Sequence, residues 1–125
     1  MGDTDTVLDH HLEAFANQDL EETMIDYTED SVVITNMGVF RGLDEIEELF
    51  TGLFDEFSQG GTNLEVDDTI TEGDFAYLLW HAETPDNVYE FCTDTFYIPE
   101  GTIDFQTFAG KIEPKEYPIE TLPGS

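Results

Sequence analysis

The sequence predicts an α+β domain in which three helices precede a mainly antiparallel β-sheet. Two observations carry this prediction. Up to residue 57, apolar residues repeat at three- and four-residue spacing, which is typical of amphipathic helices. After residue 63, they alternate with polar residues, which is typical of strands. Helices first and hairpins second favour helices packed on one face of a curved sheet. At 125 residues, the whole chain (1–125) is expected to form a single domain.

Three segments of the N-terminal half have helical patterns. Residues 5–17 carry one apolar stripe, and Asp19 to Glu22 has capping-box spacing that starts a short helix through Ile25. Residues 31–35 and 39–42 are predicted to form a hairpin around a turn at 36–38. The clearest helix covers residues 43–57, with Glu48 and Glu56 among its polar positions. Its apolar stripe contains Leu43, Ile46, Leu49, Phe50, Leu53, Phe54 and Phe57.

The C-terminal half is predicted to contain four strands, over residues 64–71, 75–82, 88–98 and 103–112. In the third of these, alternation places Glu90 on one face with Cys92, Asp94 and Phe96, and Tyr89 on the other with Phe91 and Thr95. Both faces are too apolar for a sheet with one side in water. We therefore expect a second copy of the chain to cover the face that the helices leave open, giving a homodimer through the sheet.

Charge is the most unusual feature of the composition. The chain has 30 acidic and only 3 basic residues, a formal net charge of −27. A patch that follows a phosphate backbone cannot be built, so nucleic-acid binding is not expected. Acidic residues are spread along the whole chain, which favours an origin in an extreme halophile. In molar salt they no longer repel one another and keep the protein soluble. An acidic mimic of DNA is the alternative.

Several other functional classes lack their sequence signals. No apolar run reaches the length of a membrane span, and the start of the chain lacks the basic residues of a signal peptide, so we expect a cytoplasmic protein without membrane contact. Three histidines and the single Cys92 match no zinc pattern, and no EF-hand, phosphate loop or dinucleotide fingerprint is present. We expect no metal and no cofactor.

Five local stretches carry a family resemblance: residues 14–20, 27–33, 40–42, 94–98 and 103–112. In these the chain resembles the SnoaL-like (ketosteroid isomerase-like, nuclear transport factor two-like) superfamily of cone-shaped α+β barrels. The resemblance covers nearly the whole chain. It implies one SnoaL-like domain, with three N-terminal helices packed on a curved sheet around an internal pocket. Because the motifs specify turns and core positions, they speak for the fold more than for an activity.

The resemblance also implies where catalytic groups would stand. Family enzymes carry a tyrosine on the first helix, a general-base aspartate on the first hairpin and a second carboxyl on a late strand. In this chain the first position falls on His11, the second on Thr35 or Asn36, and the third on Asp94. Neither Thr35 nor Asn36 has a basic site at neutral pH, so double-bond isomerase chemistry of the usual kind is not expected. The late carboxylate of the polyketide-cyclase branch is also missing, because Thr107 and Phe108 stand in its region.

His11 and Asp94 are the candidate catalytic residues. His11 lies in the apolar stripe of the first helix, and the resemblance places the strand face of Asp94 toward the cone. The carboxylate could orient the imidazole as a general base, or a neutral Asp94 could donate a hydrogen bond to a ligand carbonyl. The third hypothesis is a structural polar pair that closes the inside of the cone.

The leading functional prediction is binding of a small, mostly apolar, carbonyl-bearing molecule in the cone, with weak isomerase-, cyclase- or lyase-type proton transfer. One of Trp80 and His81 should face the cone, and alternation does not say which. The alternative is a non-catalytic dimeric module for ligand or protein binding, which a cone filled by aromatics such as Phe105 would favour. The further predicted lining residues are Phe15, Asn36, Phe54, Trp80, Cys92, Phe96 and Thr107.

Overall fold

A computed structural model describes residues 3–115 as three helices and six strands. The chain order is helix, helix, hairpin, helix and then four strands, as the sequence patterns predict. The helices are α1 (Asp3–Ala16), α2 (Leu20–Ile25) and α3 (Gly42–Phe57). The strands are β1 (Val32–Thr35), β2 (Gly38–Arg41), β3 (Asn63–Glu72), β4 (Phe75–Glu83), β5 (Asn87–Tyr97) and β6 (Phe105–Pro114).

The strands form one curved sheet in the order β2-β1-β6-β5-β4-β3. All neighbours are antiparallel except β1 and β6, which run parallel and are separated in the chain by α3 and four strands. The predicted fold class, helices on a curved and mainly antiparallel sheet, is confirmed. The last strand begins at Phe105 rather than at Ile103, which is fully buried in the preceding loop.

Local chemistry fixes the helix starts. The Asp19 carboxylate accepts a hydrogen bond from the Glu22 backbone N–H at 3.1 Å, which confirms the predicted cap of α2. Gly42 opens α3 with a φ of 77°, and a Cβ there would lie 3.2 Å from the backbone oxygen of Glu29. Within residues 3–115, no helix is both long enough and apolar enough to cross a membrane.

The core lies between the helices and the concave face of the sheet. Phe57 of α3 packs against Trp80 of β4 and Tyr89 of β5. Phe15 of α1 packs edge-on against Phe57 and against two further buried rings of α3, Phe50 and Phe54. Burying an aromatic side chain of this size stabilises the fold by about 1.5–3 kcal/mol. This aromatic layer holds α1 and α3 over the sheet and leaves a cavity beside it.

A β-bulge in β5 changes which side chains face the helices. The register with β6 shifts between Tyr89 and Phe91, so Tyr89 is buried on the concave side while Glu90 and Phe91 are exposed. The predicted placement of Glu90 with Cys92, and of Tyr89 on the opposite face, was therefore wrong. One extra residue at the bulge inverts the alternation for everything on its N-terminal side.

Candidate functional site

A cavity of about 640 Å³ opens between the helices and the concave face of the sheet. This volume is within the range of small-molecule sites. Its rim is exposed and includes Met37, Glu48, Gly52 and Val66. Its floor is buried and carries the polar side chains of His11, Trp80, Asp94 and Gln106. The walls between them are mostly apolar and include Leu12, Phe15, Val33, Phe40, Leu49, Phe50, Leu53, Leu64, Leu78, Phe108 and Ile112.

His11 is an isolated imidazole in an aromatic setting. It is 4% exposed, and its ring lies edge-on to Tyr27, Phe50 and Phe96 at centroid distances of 6.0, 5.8 and 5.3 Å. Its buried Nδ1 has no hydrogen-bond partner in the part of the chain that the structure describes. Burial, helped by the neighbouring His10, lowers the pKa of His11 to about 4. The imidazole is therefore neutral at pH 7.

Asp94 is the buried acid of the cavity floor. Its Oδ1 accepts a hydrogen bond from Trp80 Nε1 at 2.8 Å, and its Oδ2 accepts one from Gln106 Nε2 at 2.9 Å. Gln106 Oε1 in turn accepts from the Tyr27 hydroxyl. Burial raises the pKa of Asp94 to about 6, although both hydrogen bonds act in the opposite direction. Asp94 is mostly ionised at pH 7 and can still take a proton there.

The structure brings His11 and Asp94 to one cavity floor, but in separate hydrogen-bond environments. Asp94 bonds to Trp80 and Gln106, whereas the carboxylate facing His11 Nδ1 is that of Asp26, with Oδ2 at 3.9 Å. That separation is too long for a hydrogen bond. Asp94 therefore makes no hydrogen bond that could orient the His11 imidazole.

A chain of charged groups leads from Asp26 to the surface. Both oxygens of Asp26 contact His10 Nδ1, at 2.8 and 3.0 Å, and His10 Nε2 contacts Glu22 at 2.8 Å. These two carboxylates raise the pKa of His10. Sequence reasoning missed this cluster. Adjacent residues of a helix point about 100° apart, and no local pattern shows that the end of α2 packs against His10 and His11. The only signal was the pair of neighbouring histidines.

A second polar cluster forms part of the cavity wall. Glu56 of α3 accepts hydrogen bonds from the Tyr89 hydroxyl at 2.8 Å, Thr84 Oγ1 at 2.7 Å and Asn87 Nδ2 at 2.8 Å. Helical spacing placed Glu56 on the polar face of its helix, yet the carboxylate ties α3 to the turn between β4 and β5. Tyr89 reaches it only because of the bulge in β5.

Of the further predicted lining residues, Phe15 lies on the cavity wall and Trp80 on the cavity floor. Trp80 points inward, while His81 is partly exposed beside Asp67, with Nδ1 2.7 Å from Oδ2. Strand alternation places Trp80 and His81 on opposite faces of the sheet, and the register of β4 determines which of them points inward.

The other five predicted lining residues lie elsewhere. Phe54, Cys92 and Phe96 are buried in the core behind the wall. Asn36 is exposed at the hairpin turn, and its neighbours Thr35 and Met37 line the cavity instead. Thr107 alternates with Gln106 and Phe108, which face inward, so its side chain lies on the opposite face of the sheet.

Residues 8–108 match the SnoaL-like domain family, well over half of the chain. The chain belongs to the SnoaL-like family. No curated protein matches it. Among solved structures, a ketosteroid isomerase candidate from Kribbella flavida DSM 17836 has a TM-score of 0.75 at 13% identity, covering 100% of this chain and 91% of that one.

Two more solved structures share the SnoaL-like fold. A polyketide cyclase candidate from Sinorhizobium meliloti has a TM-score of 0.70 at 16% identity over 82% of this chain and 93% of that one. SalBIII, an epoxide hydrolase/cyclase-like enzyme of pyran ring formation in salinomycin, has a TM-score of 0.74 at 15% identity. The match covers 90% of this chain and 95% of that one. At these identities the similarity concerns the fold.

Proposed function

We propose that this SnoaL-like domain binds a small, mostly apolar, carbonyl-bearing molecule in its cavity and moves a proton next to the carbonyl group. The observation that carries the proposal is the buried carboxyl of Asp94 on the floor of an open, apolar cavity of about 640 Å³. A pKa of about 6 suits a general base near neutral pH. The family neighbours named for isomerase and cyclase chemistry support the same reaction class.

The pKa values reverse the roles expected from the sequence. His11, with a pKa of about 4, is the weaker base, so Asp94 is the better candidate to take the proton. In this step the carboxylate removes a proton from the carbon beside the carbonyl, and the C–H electron pair moves into the enolate. Asp94 then returns the proton to a carbon of the enolate. It thus replaces the hairpin base that Thr35 and Asn36 cannot supply.

The charge of the cavity limits what can enter it. Glu48, Glu56 and Asp94 line the cavity, and no Lys or Arg is among its described lining residues. An anionic ligand would lose its hydration without gaining a cationic partner, which costs several kcal/mol. The proposed ligand therefore carries no anionic group, and the mostly apolar walls favour an uncharged molecule.

Deuterium exchange of 2-decalone, an apolar ketone, tests the proposal without knowledge of the natural substrate. The protein in D₂O should speed the loss of the α-proton NMR signal, and Asp94→Asn should slow this exchange at least about tenfold. Equal rates for the two proteins would remove Asp94 from the mechanism. Saturable binding without exchange would favour the non-catalytic module instead.

We further propose that the domain is a homodimer through the convex face of its sheet. One row of six uncharged side chains crosses all six strands in register, formed by Val39, Ile34, Thr107, Thr95, Tyr77 and Ile70. Phe75 and Phe91 on the same face are 55% and 58% exposed. An uncharged row of this length on a chain of net charge −27 has the composition of an interface core.

A further inference from the structure

The side-chain donors around the cavity are already used by the protein. Trp80 Nε1 and Gln106 Nε2 donate to Asp94, and the Tyr89 hydroxyl and Asn87 Nδ2 donate to Glu56. Thr35 Oγ1, the remaining lining hydroxyl, donates to the backbone oxygen of Gly38 at 3.3 Å. Only the second N–H of each amide remains for a ligand among these groups.

Hydrogen-bond acceptors outnumber the free side-chain donors in the cavity. The carboxylates of Asp94, Glu56 and Glu48 line it, and each carboxylate has about four lone-pair sites, of which Asp94 uses two. On this surface a ligand carbonyl can use the second N–H of Gln106 or Asn87, and any further polar group of the ligand would meet mostly acceptors. Hydrogen bonding therefore favours a further group that donates.

His11 adds one acceptor at the floor, and Asp26 determines which nitrogen accepts. Nδ1 is fully buried and faces the Asp26 carboxylate at 3.9 Å, while the ring lines the cavity floor, so the Nε2 side is toward the cavity. A negative charge beside Nδ1 favours the tautomer with its proton on Nδ1. In neutral imidazole, Nε2 is then the acceptor.

The position of Asp26 is itself fixed. Its backbone oxygen accepts a hydrogen bond from the Ile103 N–H at 2.7 Å, and its carboxylate is held by His10. The other groups that face His11 are Tyr27, Phe50 of α3 and Phe96 of β5, with Asp94 on the same cavity floor. Asp26 and His10 are positioning residues, because they reach the cavity only through His11.

We propose that the ligand carries a hydroxyl group and donates it to Nε2 of His11. This inference rests on the proposed function and narrows its substrate class to hydroxylated, uncharged, mostly apolar carbonyl compounds. At Nε2 of His11 a hydroxyl fits better than an ammonium group, since an ammonium carries three donors and Nε2 is a single acceptor on a floor packed with aromatic rings. A carboxylate or phosphate is disfavoured by the acidic lining.

A matched pair of probes tests the hydroxyl directly. 2-Decalol carries the donor, and 2-methoxydecalin has the same body and oxygen without it. Trp80 is the only tryptophan of the chain and lies on the cavity floor, so its fluorescence reports binding of both. At pH 7.5 the alcohol should bind at least about tenfold more tightly than the ether, the effect of one good hydrogen bond. In His11→Phe, which keeps the aromatic packing, this preference should fall below about twofold.

The outcomes of the probe experiment distinguish failure of the hydroxyl inference from failure of the proposed function. Equal binding of alcohol and ether to the wild-type protein would overturn the hydroxyl inference and leave the small-molecule site standing. Failure of both probes and of 2-decalone to bind would overturn the proposed function together with the inference. Imidazole ¹⁵N shifts give a test that needs no variant. They should show His11 protonated at Nδ1 and unprotonated at Nε2, and the reverse tautomer would contradict the inference.

Discussion

Trp80 Nε1 donates a hydrogen bond to Asp94 Oδ1 at 2.8 Å, across the neighbouring strands β4 and β5. The cavity floor thus contains a buried acid that is partly stabilised in its charged form. Burial alone would push the pKa of Asp94 higher, and the bonds from Trp80 and Gln106 act against this, leaving it at about 6. This balance determines the proposed chemistry and one contribution to the pH dependence of the stability.

Asp94→Asn should make the fold more sensitive to acid. Folding raises the pKa of Asp94 from 3.8 to about 6, so in this range the folded chain binds a proton that the unfolded chain does not, and stability rises as the pH falls. The asparagine variant loses that gain. Between pH 7 and pH 4 its free energy of unfolding, relative to wild type, should drop by about 2 kcal/mol.

Urea denaturation of both proteins at fixed salt, at pH 7 and at pH 4, measures this difference. The surface acids titrate alike in the two proteins and cancel. His11 acts in the opposite direction, because folding lowers its pKa from 6.5 to about 4 and stability falls as the pH drops through that range. If the difference in free energy of unfolding between wild type and Asp94→Asn does not change with pH, folding does not raise the pKa of Asp94.

His10→Gln should raise the pKa of His11 above about 4. Glu22 and Asp26 raise the pKa of His10, and positive charge on His10 opposes a second charge on the adjacent buried ring. Its removal also frees the Asp26 carboxylate, 3.9 Å from His11 Nδ1, to favour the imidazolium. A pH titration followed by imidazole NMR measures the change.

His81→Gln is the matched control, because His81 is the remaining histidine and lies on the outer side of β4 beside Asp67. It should leave the titration of His11 unchanged. If His10→Gln also leaves it unchanged, the two neighbouring imidazoles are not coupled.

Thr95→Lys should convert the proposed dimer into a monomer. Thr95 lies near the middle of the uncharged row on the convex face, paired with Thr107 and Tyr77. Burying an unpaired ammonium there costs several kcal/mol in each copy. Sedimentation in molar KCl measures the mass of the particle.

The control is Thr51→Lys, the same change at an exposed position of α3. It should leave the dimer intact. A wild-type protein that sediments as a monomer at micromolar concentration would contradict the proposed interface.

Gly110→Ala should destabilise the sheet. A Cβ at this position would lie 2.6 Å from Cys92 Sγ on the paired strand β5, closer than packing allows. Overpacking of this kind typically costs about 1–3 kcal/mol. Gly60→Ala is the control, since a Cβ there meets nothing within 4 Å. The midpoint of thermal unfolding should be lower for Gly110→Ala than for Gly60→Ala. Equal midpoints would contradict the close packing of Cys92 on Gly110.

The elements that the sequence predicts well are those set by local chemistry. The apolar stripe of α3 and the Asp19 cap of α2 depend on residues within two turns of one another, and both are present in the structure. Pattern and resemblance also placed His11 and Asp94 on the concave side, where both line the cavity.

What the sequence could not predict depends on register and on distant partners. The bulge at Tyr89 is a property of the pairing with β6, and no residue pattern marks it. Asp26 and Glu56 act on groups 15 to 33 positions away in the chain, at distances that only packing defines. Cys92 and Phe96 were on the correct strand face, but both are fully buried in the core and do not line the cavity.

Binding of 2-decalone, followed by Trp80 fluorescence, tests the central claim that the cavity is a ligand site. Gly52 of α3 lines the cavity, and a Cβ there meets nothing within 4 Å, so Gly52→Phe should fill the entrance without straining the helix. Thr51→Phe adds the same ring at the exposed neighbouring position. We predict saturable binding to the wild type and to Thr51→Phe, and a loss of at least about tenfold in affinity for Gly52→Phe. Equal affinity in all three proteins would contradict a ligand site in this cavity.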